Sequence, residues 1–331
     1  MKHPWPAGAV TGIGSLPGND PAEAVRLVLG ETAELPYLPE LPGRGFGADA
    51  IGRTGALLVD FPLEWQPHGW TATSSSGRDQ ARARDHLQRD LDAITEQGQG
   101  LALLKVSVCG PMTMGAAVEL PNLHKVLTDA GAFRDLGESL AEGSRLLLAD
   151  LSTRLPGTEL VLQVDEPSLP QVLSGQVPTP SGYGTVRSLS RSVAGPALAA
   201  LLEVAQPDHR VVHCCAEQVP YDLIASSGAS AVSVDASLIT DSQLDAIGEL
   251  VESGISLWLG VLPGTDAPVS ADAARERIRS LWNKLGFPAS VLAESVVPTP
   301  SCGLAGASMP HVRKVMSALT ELGKSLRNGL D

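Results

Sequence analysis

The chain has 331 residues, 43% of them hydrophobic, four cysteines and a formal net charge of −13. That length sustains a large core without disulfide staples, and the acidic balance excludes a generic nucleic-acid binder, whose phosphate contacts need Lys and Arg gathered on one face. An aromatic content of 4% also removes the stacking platforms of a single-strand binder.

Short β-branched or apolar runs alternate with longer segments of helical period, the pattern of an α/β fold with a parallel sheet. Strands are predicted at residues 9–14, 35–41, 103–109, 160–165, 210–214, 231–235, 256–262 and 292–297. Pro36 and Pro39 disturb the second unless they sit at its ends. Amphipathic helices are predicted at 132–153, 195–205, 241–253, 271–285 and 310–328. Thr240-Asp241-Ser242 places a capping side chain ahead of the Leu244, Ile247, Leu250, Val251 stripe, and Pro310 suits a first helical turn. The expectation is a single (β/α)8 TIM barrel over residues 1–331, with elongated early loops. An open doubly wound sheet is the alternative. Gly12-Ile13-Gly14-Ser15-Leu16-Pro17-Gly18 is no dinucleotide fingerprint, because Pro17 and Gly18 stand where the turn would enter a helix.

No run approaches the roughly 20 apolar residues that span a bilayer, and the first six residues lack a signal-peptide pattern. Adjacent Cys214 and Cys215 would pair only in a strained geometry. A reduced, cytoplasmic protein with no membrane partner is expected.

In such a barrel, reactive side chains gather at the C-terminal ends of the strands. The fifth strand ends in His213-Cys214-Cys215, the sixth in Asp235, the fourth in Asp165-Glu166-Pro167, and the first delivers Ser15; Pro300-Ser301-Cys302-Gly303 follows the last. Residues two apart share a strand face, so His213 and Cys215 can reach one ion while Cys214 faces away. Two thiolates and an imidazole with an open position describe catalytic Zn2+, with Asp235 available as a displaceable fourth ligand. The competing reading is that His-Cys-Cys at a strand end is core, as Cys109 and Cys214 are expected to be. Asp165 and Glu166 can be read as an acidic pair at a helix start, yet a carboxylate ending a buried strand calls for a cation, and a substrate amino group would serve. The 11–18 segment is either a tight turn or a place where a small ligand approaches backbone donors.

These residues resemble the cobalamin-independent methionine synthase family, specifically its C-terminal catalytic barrel. The resemblance rests on Ile13-Gly14-Ser15-Leu16-Pro17, Cys109-Gly110-Pro111-Met112-Thr113, Leu162-Gln163-Val164-Asp165-Glu166-Pro167, Val212-His213-Cys214-Cys215 and Pro300-Ser301-Cys302-Gly303-Leu304, in the family's order. It implies His213, Cys215 and Cys302 as zinc ligands, Asp165 as the carboxylate holding the homocysteine amino group, and Ile13 with Ser15 as the segment holding its carboxylate. Glu64, in Phe61-Pro62-Leu63-Glu64-Trp65, matches the second amino-group acid. Three departures stand out. Asp235 occupies the place of the family's fourth ligand, normally Glu; no His follows the seventh strand in Leu259-Gly260-Val261-Leu262-Pro263-Gly264; and the N-terminal half of full-length synthases has no counterpart, which implies a short core form.

The implied activity is zinc-dependent methylation of the homocysteine thiol to methionine, the donor being methyltetrahydrofolate or a methylcorrinoid, free or protein-bound. Two alternatives remain. One is a catalytically degenerate zinc-binding barrel. The other is a zinc-free lyase like uroporphyrinogen decarboxylase, for which Arg44 and Arg53 are the available carboxylate binders.

Overall fold

The computed structural model describes residues 3–329. In chain order it has α1 (Pro21–Glu31), α2 (Ala50–Gly55), a hairpin of β1 (Leu63–Gln66) and β2 (Gly69–Ala72), α3 (Arg78–Gln97), β3 (Leu103–Cys109), α4 (Pro111–Ala117), α5 (Ala130–Arg154), β4 (Glu159–Asp165) and α6 (Leu169–Ser174). Then follow α7 (Arg191–Leu202), β5 (Arg210–Cys214), α8 (Tyr221–Ser226), β6 (Ala231–Asp235), α9 (Leu244–Glu252), β7 (Ser256–Leu262), α10 (Ala271–Leu285), α11 (Leu292–Ser295), β8 (Val296–Pro300) and α12 (Met309–Arg327).

β3 to β8 form one parallel sheet in sequence order. Two interleaved sets of side chains explain its shape, because successive residues of a strand face opposite ways. Leu104, Val106, Leu162, Val164, Val212, Val232, Val234, Leu257 and Leu259 pack into the large cluster shared with the helices. Residues of the other parity, Leu103, Val161, Val211, Ala231, Trp258 and Val297, form a separate apolar floor with Trp5, Ala9 and Leu35. The sheet curls around this floor. Continuing along the same parity gives Lys105, Gln163, His213, Ser233 and Thr299, all buried, so a polar layer lies directly above the floor.

Among the described residues, six of the expected eight strands join the ladder. Residues 9–14 and 35–41 run extended beside the sheet but make only isolated parallel bridges, Tyr37 with Lys105 and Ser15 with Glu40. Lys105 N donates to Pro36 O and Leu38 N to Lys105 O, both at 2.8 Å, while Glu40 N donates to Gly14 O at 3.1 Å. Towards β8 the contacts are single bonds, Gly8 N to Ala293 O at 3.0 Å and Leu304 N to Ser15 O at 2.8 Å. Proline is the physical reason on both sides. Pro36 and Pro39 interrupt the second segment, and Pro298 and Pro300 remove donors from β8, so no continuous ladder can form.

The last strand also starts later than the predicted 292–297: Leu292–Ser295 is a helical turn, and the strand is Val296–Pro300. The early stretch read as long loops contains α1, α2, the hairpin and the 20-residue α3. The helix start at Thr240 is a capping box with Gln243, and the helix predicted at 271–285 is α10.

Candidate active site

The parallel register sets the strand ends side by side: Cys109 pairs with Asp165, Asp165 with His213, and His213 with Ser233. His213 is buried; its Nδ1 lies 2.9 Å from Ser233 Oγ, whereas its buried Nε2 has no hydrogen-bond partner. Cys215, just beyond β5, brings its Sγ to 3.2 Å from Cys302 Sγ. One ligand atom from each of His213, Cys215 and Cys302 lies within 4.8 Å of the others.

An unpartnered buried imidazole nitrogen beside two thiols is what a tetrahedral N/S metal site requires, since a buried polar atom normally finds a partner. The three residues therefore could hold a metal, and the donor set fits zinc. Hydrogen bonding from Cys215 and the nearby imidazole of His213 hold Cys302 below the usual thiol range, while the same bond and burial push Cys215 up.

Local packing explains how the Cys302 loop reaches this position. A Cβ on Gly260 would lie 2.6 Å from Ser301 Cα, and one on Gly303 would lie 2.1 Å from Ser15 Oγ. Only glycine at both places lets the loop settle against β7 on one side and Ser15 on the other. Ser15 is thereby held next to Cys302.

Asp165, half-buried at the end of β4, accepts from Gln163 Nε2 at 2.7 Å. Burial raises its pKa, opposed by His213, the Gln163 bond and Lys105. Ile13 offers its carbonyl to Lys105 Nζ at 2.6 Å, Gln163 Nε2 at 2.9 Å and Ser107 Oγ at 3.2 Å. Glu166, fully buried, does not share a role with Asp165. Its two oxygens accept from Met112 N and Thr113 N, each at 2.9 Å, and from Thr113 Oγ1 at 2.7 Å, which caps the start of α4. The Gly110–Thr113 and Asp165–Pro167 motifs thus hold each other.

Glu40 was not singled out from the sequence. It lies buried where the 35–41 segment meets Ser15, its carboxyl carbon 3.6 Å from where a Gly14 Cβ would be, with Arg53 Nε 3.7 Å from Oε1. Burial pushes it up to about 7, against the pull of Arg53, and the charge of Asp165 adds to the rise. The signal that would have found it is a carboxylate at the C-terminal end of the second strand position.

Glu64 sits on the hairpin, accepting from Gln66 Nε2 at 2.6 Å and paired across the ladder with Thr71. None of its contacts among the described residues reaches the His213, Cys215 and Cys302 group. Asp235 lies outside that group as well. Its Oδ1 accepts from Ser237 N at 2.8 Å and Ser237 Oγ at 2.7 Å, and it lines a cavity of about 380 Å³ with Gly260, Thr265, Arg277 and Ser301. Arg44 and Arg53 are committed elsewhere, both paired with buried Asp90. Cys109 and Cys214 are buried free thiols, as expected of core residues. Among the described residues no helix is long and apolar enough to cross a membrane.

Comparison with known proteins bears on the family and the fold. The family described as cobalamin-independent synthase, catalytic domain, matches residues 97–325. A B12-independent methionine synthase from Shewanella sp. W3-18-1, solved in complex with selenomethionine, superposes with a TM-score of 0.65 at 14% identity, covering 98% of this chain and 99% of that one. A GH5_18 protein from Streptomyces cattleya in complex with GlcNAc is more distant, with a TM-score of 0.47 at 16% identity, covering 96% and 80%. No curated protein matches. With more than half of its length matched by the family, carrying the His213, Cys215 and Cys302 group at its strand ends, the chain belongs to the cobalamin-independent methionine synthase family.

Proposed function

We propose that the chain is a zinc-dependent methyltransferase that converts homocysteine to methionine. The observation that carries this reading is the group of His213, Cys215 and Cys302, in which the buried His213 Nε2 has no hydrogen-bond partner. These three residues would hold the ion, and Asp235 is the proposed carboxylate for the fourth position. Zinc, when bound, supplies Lewis acidity that keeps a substrate thiol deprotonated and oriented near neutral pH.

The remaining groups belong to the amino-acid end of the substrate. Glu40 and Asp165 approach the polar interior from either side of β3; burial raises both, and the charge of Asp165 raises Glu40 further, so a substrate ammonium between them relieves both. This assigns to Glu40 the second amino-group role that sequence similarity gave to Glu64. The Ile13–Ser15 segment takes the substrate carboxylate. The thiol loses its proton to solvent, its sulfur forms the bond to the methyl carbon, and the bond from that carbon to the donor breaks.

The engagement of Arg44 and Arg53 with Asp90 and Glu40 disfavours a lyase that would need them for substrate carboxylates. Turnover of homocysteine with methyltetrahydrofolate and with methylcobalamin, assayed in parallel on zinc-loaded protein, tests the proposal. Methionine formed with either donor supports it. No methionine with both, while zinc is retained, leaves a zinc-binding barrel without transferase activity.

A further inference from the structure

Lys105 is fully buried in the polar layer above the apolar floor, its Nζ 5.2 Å from the Tyr37 ring centre and 6.0 Å from that of Trp258. A lysine placed there loses its hydration, and an apolar residue of similar length would pack without that cost. What it does receive is specific. Its Nζ donates to Ile13 O at 2.6 Å and to Gln163 Oε1, and Gln163 in turn donates from one amide nitrogen to Ile13 O and to Asp165 Oδ1.

The result is a closed circuit. With Ser107, three donors converge on the Ile13 carbonyl, more than its two lone pairs need, so the peptide is over-determined. The same amide that holds Ile13 holds Asp165. The first extended segment has no ladder to fix its register, so this circuit is what ties it to β3 and β4 at the depth of the site.

We propose that Lys105 and Gln163 are positioning residues that lock the Ile13 carbonyl and the Asp165 carboxylate into one register, and thereby set the grip on the amino and carboxylate groups of an α-amino-acid substrate. The inference rests on the homocysteine reading above. Among the described residues the side-chain hydrogen bonds of Lys105 and Gln163 go to Ile13, to each other and to Asp165, so the circuit bears on the amino-acid end of the site.

The test uses zinc-loaded full-length protein, L-methionine as a calorimetric probe, and homocysteine kinetics. For Gln163→Met we expect methionine to bind about tenfold more weakly, as for loss of a hydrogen bond to a charged group, with homocysteine KM raised similarly, kcat little changed and zinc content unaltered. A merely structural role would lower kcat and zinc retention together. Gln163→Glu keeps the acceptor for Lys105 but removes both amide donors, so it gives the same readout if the methionine variant fails to fold. Methionine affinity and KM unchanged in both variants would overturn the inference alone. A wild type that retains zinc but binds neither methionine nor homocysteine would overturn the homocysteine reading and this inference with it.

Discussion

Gly110→Ala should destabilise the protein although its backbone would accept alanine. Gly110 has φ −80° and ψ 170°, an ordinary extended conformation. At such a position Gly to Ala normally stabilises by about 0.4–1 kcal/mol through the unfolded chain. Here the new Cβ would stand 2.1 Å from Glu166 Oε1 and 2.4 Å from its Cδ. A relaxed contact is about 3.5 Å, so the carboxylate must withdraw by roughly an ångström or more. Glu166 is fully buried and accepts three hydrogen bonds, two from backbone N–H groups at the start of α4. Buried bonds to a charged acceptor are worth about 1.5–3 kcal/mol each, and with partial relaxation the net loss should be about 3–5 kcal/mol. Equilibrium urea denaturation reads this as a lower midpoint at unchanged slope. In a Glu166→Ala background the same substitution should be neutral or stabilising. Gly110→Ala at or above wild-type stability would refute the interlock between the two motifs.

Three further outcomes follow from the geometry. Ser233→Ala removes the partner of His213 Nδ1 and should weaken zinc affinity by about 10–100-fold in a chelator competition. Asp90→Ala strands Arg44 and Arg53 in a buried setting and should cost about 3–5 kcal/mol, read as a lower Tm; an unchanged Tm would show the cluster contributes nothing. Glu40, pushed up to about 7 by burial, gains its charge only as pH rises through that value. Methionine affinity should therefore increase by about tenfold from pH 6 to 8, and Glu40→Gln should abolish the slope.

The strand ends were legible because two rules act together: reactive residues collect at the C-terminal ends of parallel strands, and side chains alternate faces. These rules place His213 and Cys215 on one face and Cys214 in the core. The same alternation, carried through Leu103, Lys105 and Ser107, points Lys105 into the interior, but an otherwise apolar strand hides one lysine. Glu40 was passed over for another reason. It lies near the end of the segment predicted as the second strand, but Pro36 and Pro39 break the alternation there, so spacing alone does not say which way its side chain faces. The hydrogen bonds of Glu64 with Gln66 and of Asp235 with Ser237, each two residues away, are set by local geometry that composition and spacing do not reveal. The last strand starts at Val296 because Leu292–Ser295 forms a helical turn, and it runs on to Pro300 because the missing donors of Pro298 and Pro300 are tolerated at the edge of the six-stranded sheet.

The most direct test of the proposed centre is the zinc content of the reduced protein beside that of Cys302→Ser, by elemental analysis after dialysis without chelator. We expect about one zinc per wild-type chain and weakened retention in the variant, joining β5 to the last loop in a single site. A folded, reduced wild type that holds no zinc even after resupply would contradict the thiol-activating centre.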